Sequence, residues 1–202
     1  YMNLYNDKEF MQNNGIELIC EISKFLLSRG QYNQNKTRFG YYGVMGPDEF
    51  QLMVNHNTYT NFMAKKTFDY FVTLIESDKY DLTKLNIDDE FIDRIKDASN
   101  KMVILYDETT KLFEQHAGFY DLPHIDINSI KEEEFPLYAH WTYDRIYRND
   151  MIKQPDVLMF MFLYNQDFTF EQKKANYEYY EPRCIHESSL SPSIHSIFAC
   201  EL

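Results

Sequence analysis

Apolar positions along this chain recur mostly at helical spacing. Residues 14–29 place Ile16, Ile19, Cys20, Ile22, Leu26 and Leu27 near a period of three to four, and Gly30 follows as a C-terminal stop. Residues 57–76 carry Tyr59, Phe62, Met63, Tyr70, Phe71 and Leu74 on one stripe. Residues 88–102 carry Phe91, Ile92, Ile95, Ala98 and Met102, and their acidic start suits the positive end of a helix dipole. Residues 148–164 are apolar in their second half, where Pro155 is expected to start or kink a helix. Residues 169–180 open on Thr169 with Gln172 three positions on, the pattern of a capping box. Ser191 reads as an N-cap, with Pro192 at the first helical position. The expected class is all-α. The segments between these helices, 40–50, 106–147 and 181–191, hold most of the Gly, Pro and paired aromatics. The second is too long for a simple connection, and loops on a helical scaffold are where chemistry usually sits.

Composition narrows the choice. The 202 residues suffice for one domain or part of a larger one, and 44% are hydrophobic, which is ordinary for a globular chain. A net charge of -12 argues against a nucleic-acid surface, which needs clustered Lys and Arg, and against anionic membranes. No apolar run approaches the ~20 residues of a membrane helix, the longest covering 157–164. Three widely spaced cysteines, Cys20, Cys184 and Cys200, favour reduced thiols and a cytoplasmic location over a disulfide framework. The six histidines form no HExxH or His-x-His pair, so no metal site is expected, and no glycine-rich phosphate loop supports a nucleotide. Aromatic residues reach 17%, with 17 Tyr and 16 Phe. Carbohydrate clefts are often walled by such rings, although Tyr and Phe standing in for other core residues is the plainer account. The chain opens on Tyr1 rather than Met and closes inside an apolar helical pattern, which suggests a piece of something longer.

Three stretches could carry chemistry. Gly46-Pro47 fixes a turn from which Asp48 and Glu49 hang beside Phe50. A like charge and an apolar ring both raise a carboxyl pKa, which is what a general acid needs; capping a helix is the competing role. Lys153 and Gln154 are adjacent donors able to grip sugar hydroxyls or simply to face solvent. Between His186 and Ser196 lie five Ser and two His, just before the helix opened by Pro192. Hydroxyls and free N–H groups at a helix start make an anion site, or merely cap their own helix.

Taken together the stretches GVMGPDEF (43–50), VNHNTYTNFMA (54–64), EQHAGFYDL (114–122), HWTYDRI (140–146), MIKQPDVL (151–158) and YEPRCIHESSLSPSIHSI (180–197) resemble glycoside hydrolase family 65, in family order and over essentially the whole chain. The resemblance implies that residues 1–202 are part of an (α/α)6-barrel catalytic domain. It implies inverting phosphorolysis of an α-linked glucosyl disaccharide, maltose-like by HWTYDRI, to β-glucose 1-phosphate. Glu49 matches the family's general acid. Lys153 and Gln154 match residues of the glucosyl subsite, and Ser188 and Ser189 match residues that hold phosphate. Inorganic phosphate is the co-substrate, no cofactor is implied, and a homodimer is common among family phosphorylases. An inverting hydrolase of the family, acid trehalase-like, is the alternative within it, and a non-catalytic helical module the alternative outside it. Pro155 stands where the family usually has Ala, Cys184 replaces a usual Thr and His56 a usual Asn. Pro155 is expected to disturb Lys153 and Gln154. Other parts of the family's site are expected outside these 202 residues, so this chain alone is expected to be inactive.

Overall fold

Helix α1 (Ile16–Arg29) forms where the periodicity places it, extended backwards by a π turn over Met11–Gly15. The computed structural model describes residue 5 and residues 7–77 and 79–202, and the chain packs as two units. The first holds Tyr1–Tyr41 and Asn61–Val103, the second Tyr42–Thr60 and Ile104–Leu202.

In the first unit α1 buries Ile16, Cys20, Ser23 and Leu27, one face at steps of three and four. The Ser23 hydroxyl donates to the Ile19 carbonyl at 2.8 Å, so no polar group is stranded there. Gly30 does end the helix, but not in the left-handed conformation usual for such a stop, since its φ of -74° and ψ of 160° are extended. Its reason is space: a Cβ on Gly30 would lie 2.2 Å from the Phe39 ring. Strands β1 (Gln31–Tyr32) and β2 (Phe39–Gly40) then pair antiparallel. Helix α2 (Thr58–Glu76), which begins in the second unit, contributes buried Ala64, Phe68, Phe71 and Leu74 to this core. Helix α3 (Asp89–Asn100) is capped by Asp88, whose carboxylate accepts from Phe91 N at 2.8 Å, as its acidic start suggested. Phe71 packs edge-on against Phe91 at 6.2 Å.

The second unit resolves the long 106–147 stretch into small elements. Strands β3 (Tyr106–Asp107) and β4 (Leu112–Phe113) pair antiparallel. Three 3₁₀ turns and the short helices α4 (Leu137–His140) and α5 (Tyr143–Tyr147) follow. They close over Phe50, Leu137, Trp141, Ile146 and Met151, a shared buried cluster that makes so irregular a segment pack. Helix α6 (Asp156–Leu163) begins directly after Pro155, so the proline starts the helix and the polar residues before it stay outside. Helix α7 (Phe170–Tyr180) carries the anticipated box, with Thr169 Oγ1 accepting from Gln172 N and Gln172 returning to Thr169 N. Helix α8 (Ser191–Glu201) departs by one residue from expectation. Leu190 holds the N-cap position, while Ser191 is the first helical residue, buried, its hydroxyl donating to the Ser188 carbonyl at 3.2 Å.

The result is helix-rich with few strands, as the α class requires. All three cysteines are free, Cys20 and Cys184 buried and Cys200 exposed. Among the described residues no helix is long and apolar enough to cross a membrane.

Candidate active site

The site is organised by two carboxyl groups that never reach solvent, Asp48 and Asp156. Val44 and Val54 bridge antiparallel and turn the 43–54 loop back on itself. Within the loop Gly46 passes directly over α6: a Cβ there would lie 2.2 Å from Asp156 Oδ2 and 2.6 Å from Asn57 Nδ2. That approach lets Asp156 Oδ1 accept from Asp48 N at 2.6 Å and Asp156 Oδ2 from Asn57 Nδ2 at 2.7 Å. Asp48 faces inward. Its Oδ1 accepts from the backbone N–H groups of Phe50 (3.1 Å), Lys153 (2.9 Å) and Gln154 (3.4 Å), and its Oδ2 from Gln115 Nε2 (2.8 Å). One side chain thus fixes both the loop of Glu49 and the segment of Lys153 and Gln154.

Burial pushes the Asp48 carboxyl up to about 6, although its four donors pull the other way. Burial, and then the charge of Asp48, push Asp156 well above the usual carboxylate range. Asp48 has more donors, so of the two it is the one that ionises first.

Glu49 is the outward-facing neighbour, its side chain 53% exposed. Glu49 Oε2 accepts from Lys153 Nζ at 2.5 Å and from Gln154 Nε2 at 3.0 Å, while Gln154 Oε1 accepts from Glu49 N at 3.1 Å. The structure therefore joins three of the five anticipated residues in direct contact, and Pro155 does not disturb them. The expected upward shift of Glu49 is not found. Its pKa is lowered, first by the Lys153 hydrogen bond and then by that of Gln154. The shift is downward because Asp48 points away, occupied by N–H donors, and a cation stands where a like charge was anticipated.

Beside Glu49 and Lys153 opens a cavity of about 330 Å³, walled by Phe50, Tyr138, Tyr143, Met45 and Leu52. The volume lies at the lower end of the range for small-ligand sites. Lys153 Nζ stands 5.2 Å from the centre of the Tyr138 ring. Sequence reasoning named neither tyrosine, although Tyr143 belongs to the HWTYDRI motif and the aromatic excess was a signal.

Ser188 and Ser189 stand outside these walls, on the turn before α8. Ser188 Oγ accepts from Leu190 N at 3.2 Å, which is a capping contact, and Ser189 is exposed. The chain leading to them is fastened to the site at two points. Ile152 and Cys184 form a parallel bridge one residue before Lys153. Glu187 Oε1 accepts from Leu137 N at 2.5 Å, at the start of the helix that carries Tyr138.

All 202 residues match the family described as the glycosyl hydrolase family 65 central catalytic domain. The chain belongs to this family. It is 36% identical to a maltose phosphorylase of Bacillus subtilis (strain 168) and 37% identical to a kojibiose phosphorylase of Halothermothrix orenii, each match covering 100% of this chain and 27% of the relative. A solved structure described as "Putative kojibiose phosphorylase from human microbiome" is 64% identical, with a TM-score of 0.98 over 100% of this chain and 27% of that one. The family 65 chain described here thus spans about a quarter of the length of those relatives.

Proposed function

We propose that the family 65 protein to which this chain belongs cleaves an α-linked glucosyl disaccharide with inorganic phosphate, releasing β-glucose 1-phosphate and a free sugar. The observation that carries this reading is the Glu49–Lys153–Gln154 constellation on the rim of an aromatic-walled cavity. Glu49 is the proton donor to the glycosidic oxygen. In the free state it is ionised and paired with Lys153. Glucosyl hydroxyls entering the cavity compete for Lys153 and Gln154, and the sugar displaces water. Both changes remove what holds the carboxyl pKa down, so binding loads the acid with its proton.

The C1–O bond to the leaving sugar then breaks as its oxygen takes the Glu49 proton. Phosphate forms the new C1–O bond from the opposite face, inverting the anomeric carbon. Phosphate arrives already anionic and needs positioning rather than a base. Ser188 and Ser189, as neutral donors, suit that task, with the helices of this chain forming part of an (α/α)6 barrel around the cleft. A hydrolase would need a second carboxylate about 6.5–9.5 Å from the acid to activate water. The two carboxyls behind the Glu49 loop, Asp48 and Asp156, are sealed from solvent and occupied by N–H donors, which favours phosphorolysis. The relatives named for maltose and kojibiose make these the first substrates to try.

The test is a disaccharide panel of maltose, kojibiose, nigerose and trehalose on the full-length protein, with and without phosphate. Phosphate-dependent β-glucose 1-phosphate from one or more of them is expected, and Glu49→Gln should lower turnover about 10²–10⁴-fold. Glucose released equally well without phosphate would replace this reading with the hydrolase.

A further inference from the structure

Behind the serine turn lies a second cluster of side chains that the sugar chemistry leaves unused. Cys184 comes from the strand-like segment bridged to Ile152, His186 from two residues later, and His195 from the second turn of α8. One potential ligand atom from each lies within 4.8 Å of the others. The geometry points to a binding site for a borderline-soft divalent cation such as Zn²⁺, with Cys184, His186 and His195 as ligands and Glu181 orienting both imidazoles.

The ligand spacing supports it. For a tetrahedral zinc with Zn–S near 2.3 Å and Zn–N near 2.0–2.1 Å, the S···N edge comes to about 3.6 Å. His186 Nδ1 stands 3.7 Å from Cys184 Sγ. The other ring nitrogen of His186, Nε2, faces the Glu181 carboxylate at 3.8 Å. His195 uses its Nδ1 for the same carboxylate, which leaves its Nε2 as the ligand nitrogen. That Nε2 is buried and has no hydrogen-bond partner, an arrangement that costs free energy unless something binds there. Outer-shell carboxylates on ligating histidines are the usual means of fixing ring orientation and raising basicity.

A thiol at Cys184 releases its proton to solvent as the cation arrives, since the thiolate is the ligating form. Access exists, since a surface cavity of about 220 Å³ is lined by Glu181, His186 and His195 together with Tyr177, Pro192 and Ser196. It leaves room for water as a fourth ligand. Ser191 Oγ, 3.3 Å from His186 Nδ1, is the local competitor for that ring nitrogen and would yield its contact. No spaced motif marks this cluster in the sequence, because His195 is brought back by a helix, whereas Cys184 and His186 are neighbours along the chain.

Co²⁺ is the spectroscopic probe, added to the full-length, metal-stripped protein and then displaced by Zn²⁺. Expected are a thiolate-to-Co²⁺ charge-transfer band, the intense visible bands of tetrahedral Co²⁺, and one equivalent bound. Cys184→Thr should abolish the charge-transfer band, His195→Gln should weaken binding at least tenfold, and Cys200→Ser should leave both unchanged. Circular dichroism checks that each variant folds, and the wild-type spectrum alone decides if a variant does not. A wild-type protein that binds no Co²⁺, binds it without a thiolate band, or loses the band on Cys200→Ser overturns the proposal.

Discussion

Asp48 and Asp156 tie the residue scale to a measurable pH dependence. Asp48 is raised in the folded state from its ordinary 3.8 to about 6, and Asp156 is also raised well above its ordinary range. A raised carboxyl means that the folded protein binds more protons than the unfolded chain between these values. For Asp48, stability therefore falls as pH rises from about 4 through about 6, and its penalty is fully present at pH 7. For Asp48 alone it is on the order of 3 kcal/mol. The carboxylates with lowered pKa, such as Asp97 and Glu134, act in the opposite sense, but at pH values below their ordinary range. Urea unfolding of the full-length protein should consequently give a higher midpoint at pH 5 than at pH 7. Asp156→Asn removes the second of the two raised carboxyls and should flatten that slope. A wild-type midpoint that climbs steadily from pH 5 to pH 7 would refute the assignment of two buried carboxyls raised by burial. The carboxyls carry this cost because they hold Glu49, Lys153 and Gln154 in register through backbone N–H groups, which no exposed side chain could do as rigidly.

Two substitutions separate what an element needs locally from what the site needs. Thr169→Ala deletes the hydroxyl that caps α7, for a loss of about 1 kcal/mol. The cap is an exposed contact between residues three apart, so catalysis should be unchanged. Gly46→Ala puts a methyl group 2.2 Å from Asp156 Oδ2 and forces the loop off α6. The expected loss is about 1–3 kcal/mol together with at least a tenfold fall in turnover, because Glu49 moves with the loop. Equal catalytic effects of the two changes would contradict the role given to Gly46. The contrast also explains what was legible in the chain. The α7 box and the Asp88 cap were readable because each is a pattern within one turn. Gly30 and Gly46 look like turn residues in sequence, but their reasons, the Phe39 ring and the Asp156 carboxylate, lie nine and 110 positions away. Pro155 left two options for residues 148–164, a kinked helix or a later start, and the start is fixed because the polar residues before Pro155 are held by Asp48, a partner invisible to periodicity.

At the scale of the whole molecule, the site residues became legible only as an ordered set of motifs. Each of them read alone had an ordinary capping or surface explanation, and Ser188 does cap as well. What no motif could supply was the protonation state of Glu49, set by a lysine 104 positions away. That state bears on the chain by itself. A general acid works when water is excluded and the nucleophile is held opposite it. Here the Glu49 side chain is 53% exposed and Ser189 is exposed. On α1, Leu18 and Phe25, one helical face apart by seven residues, are 56% and 64% exposed. The 202 residues also span about a quarter of the length of the relatives they match. Expressed alone, the chain is therefore expected to show helical circular dichroism and a tendency to self-associate through apolar faces, which Leu18→Lys with Phe25→Lys should reduce. With maltose or kojibiose and phosphate it should release no glucose 1-phosphate above the level of its Glu49→Gln form, under conditions where the full-length protein turns over. Phosphate-dependent release by these residues alone, abolished by Glu49→Gln, would mean that the walls needed to dry the acid and hold the anion are already present within them.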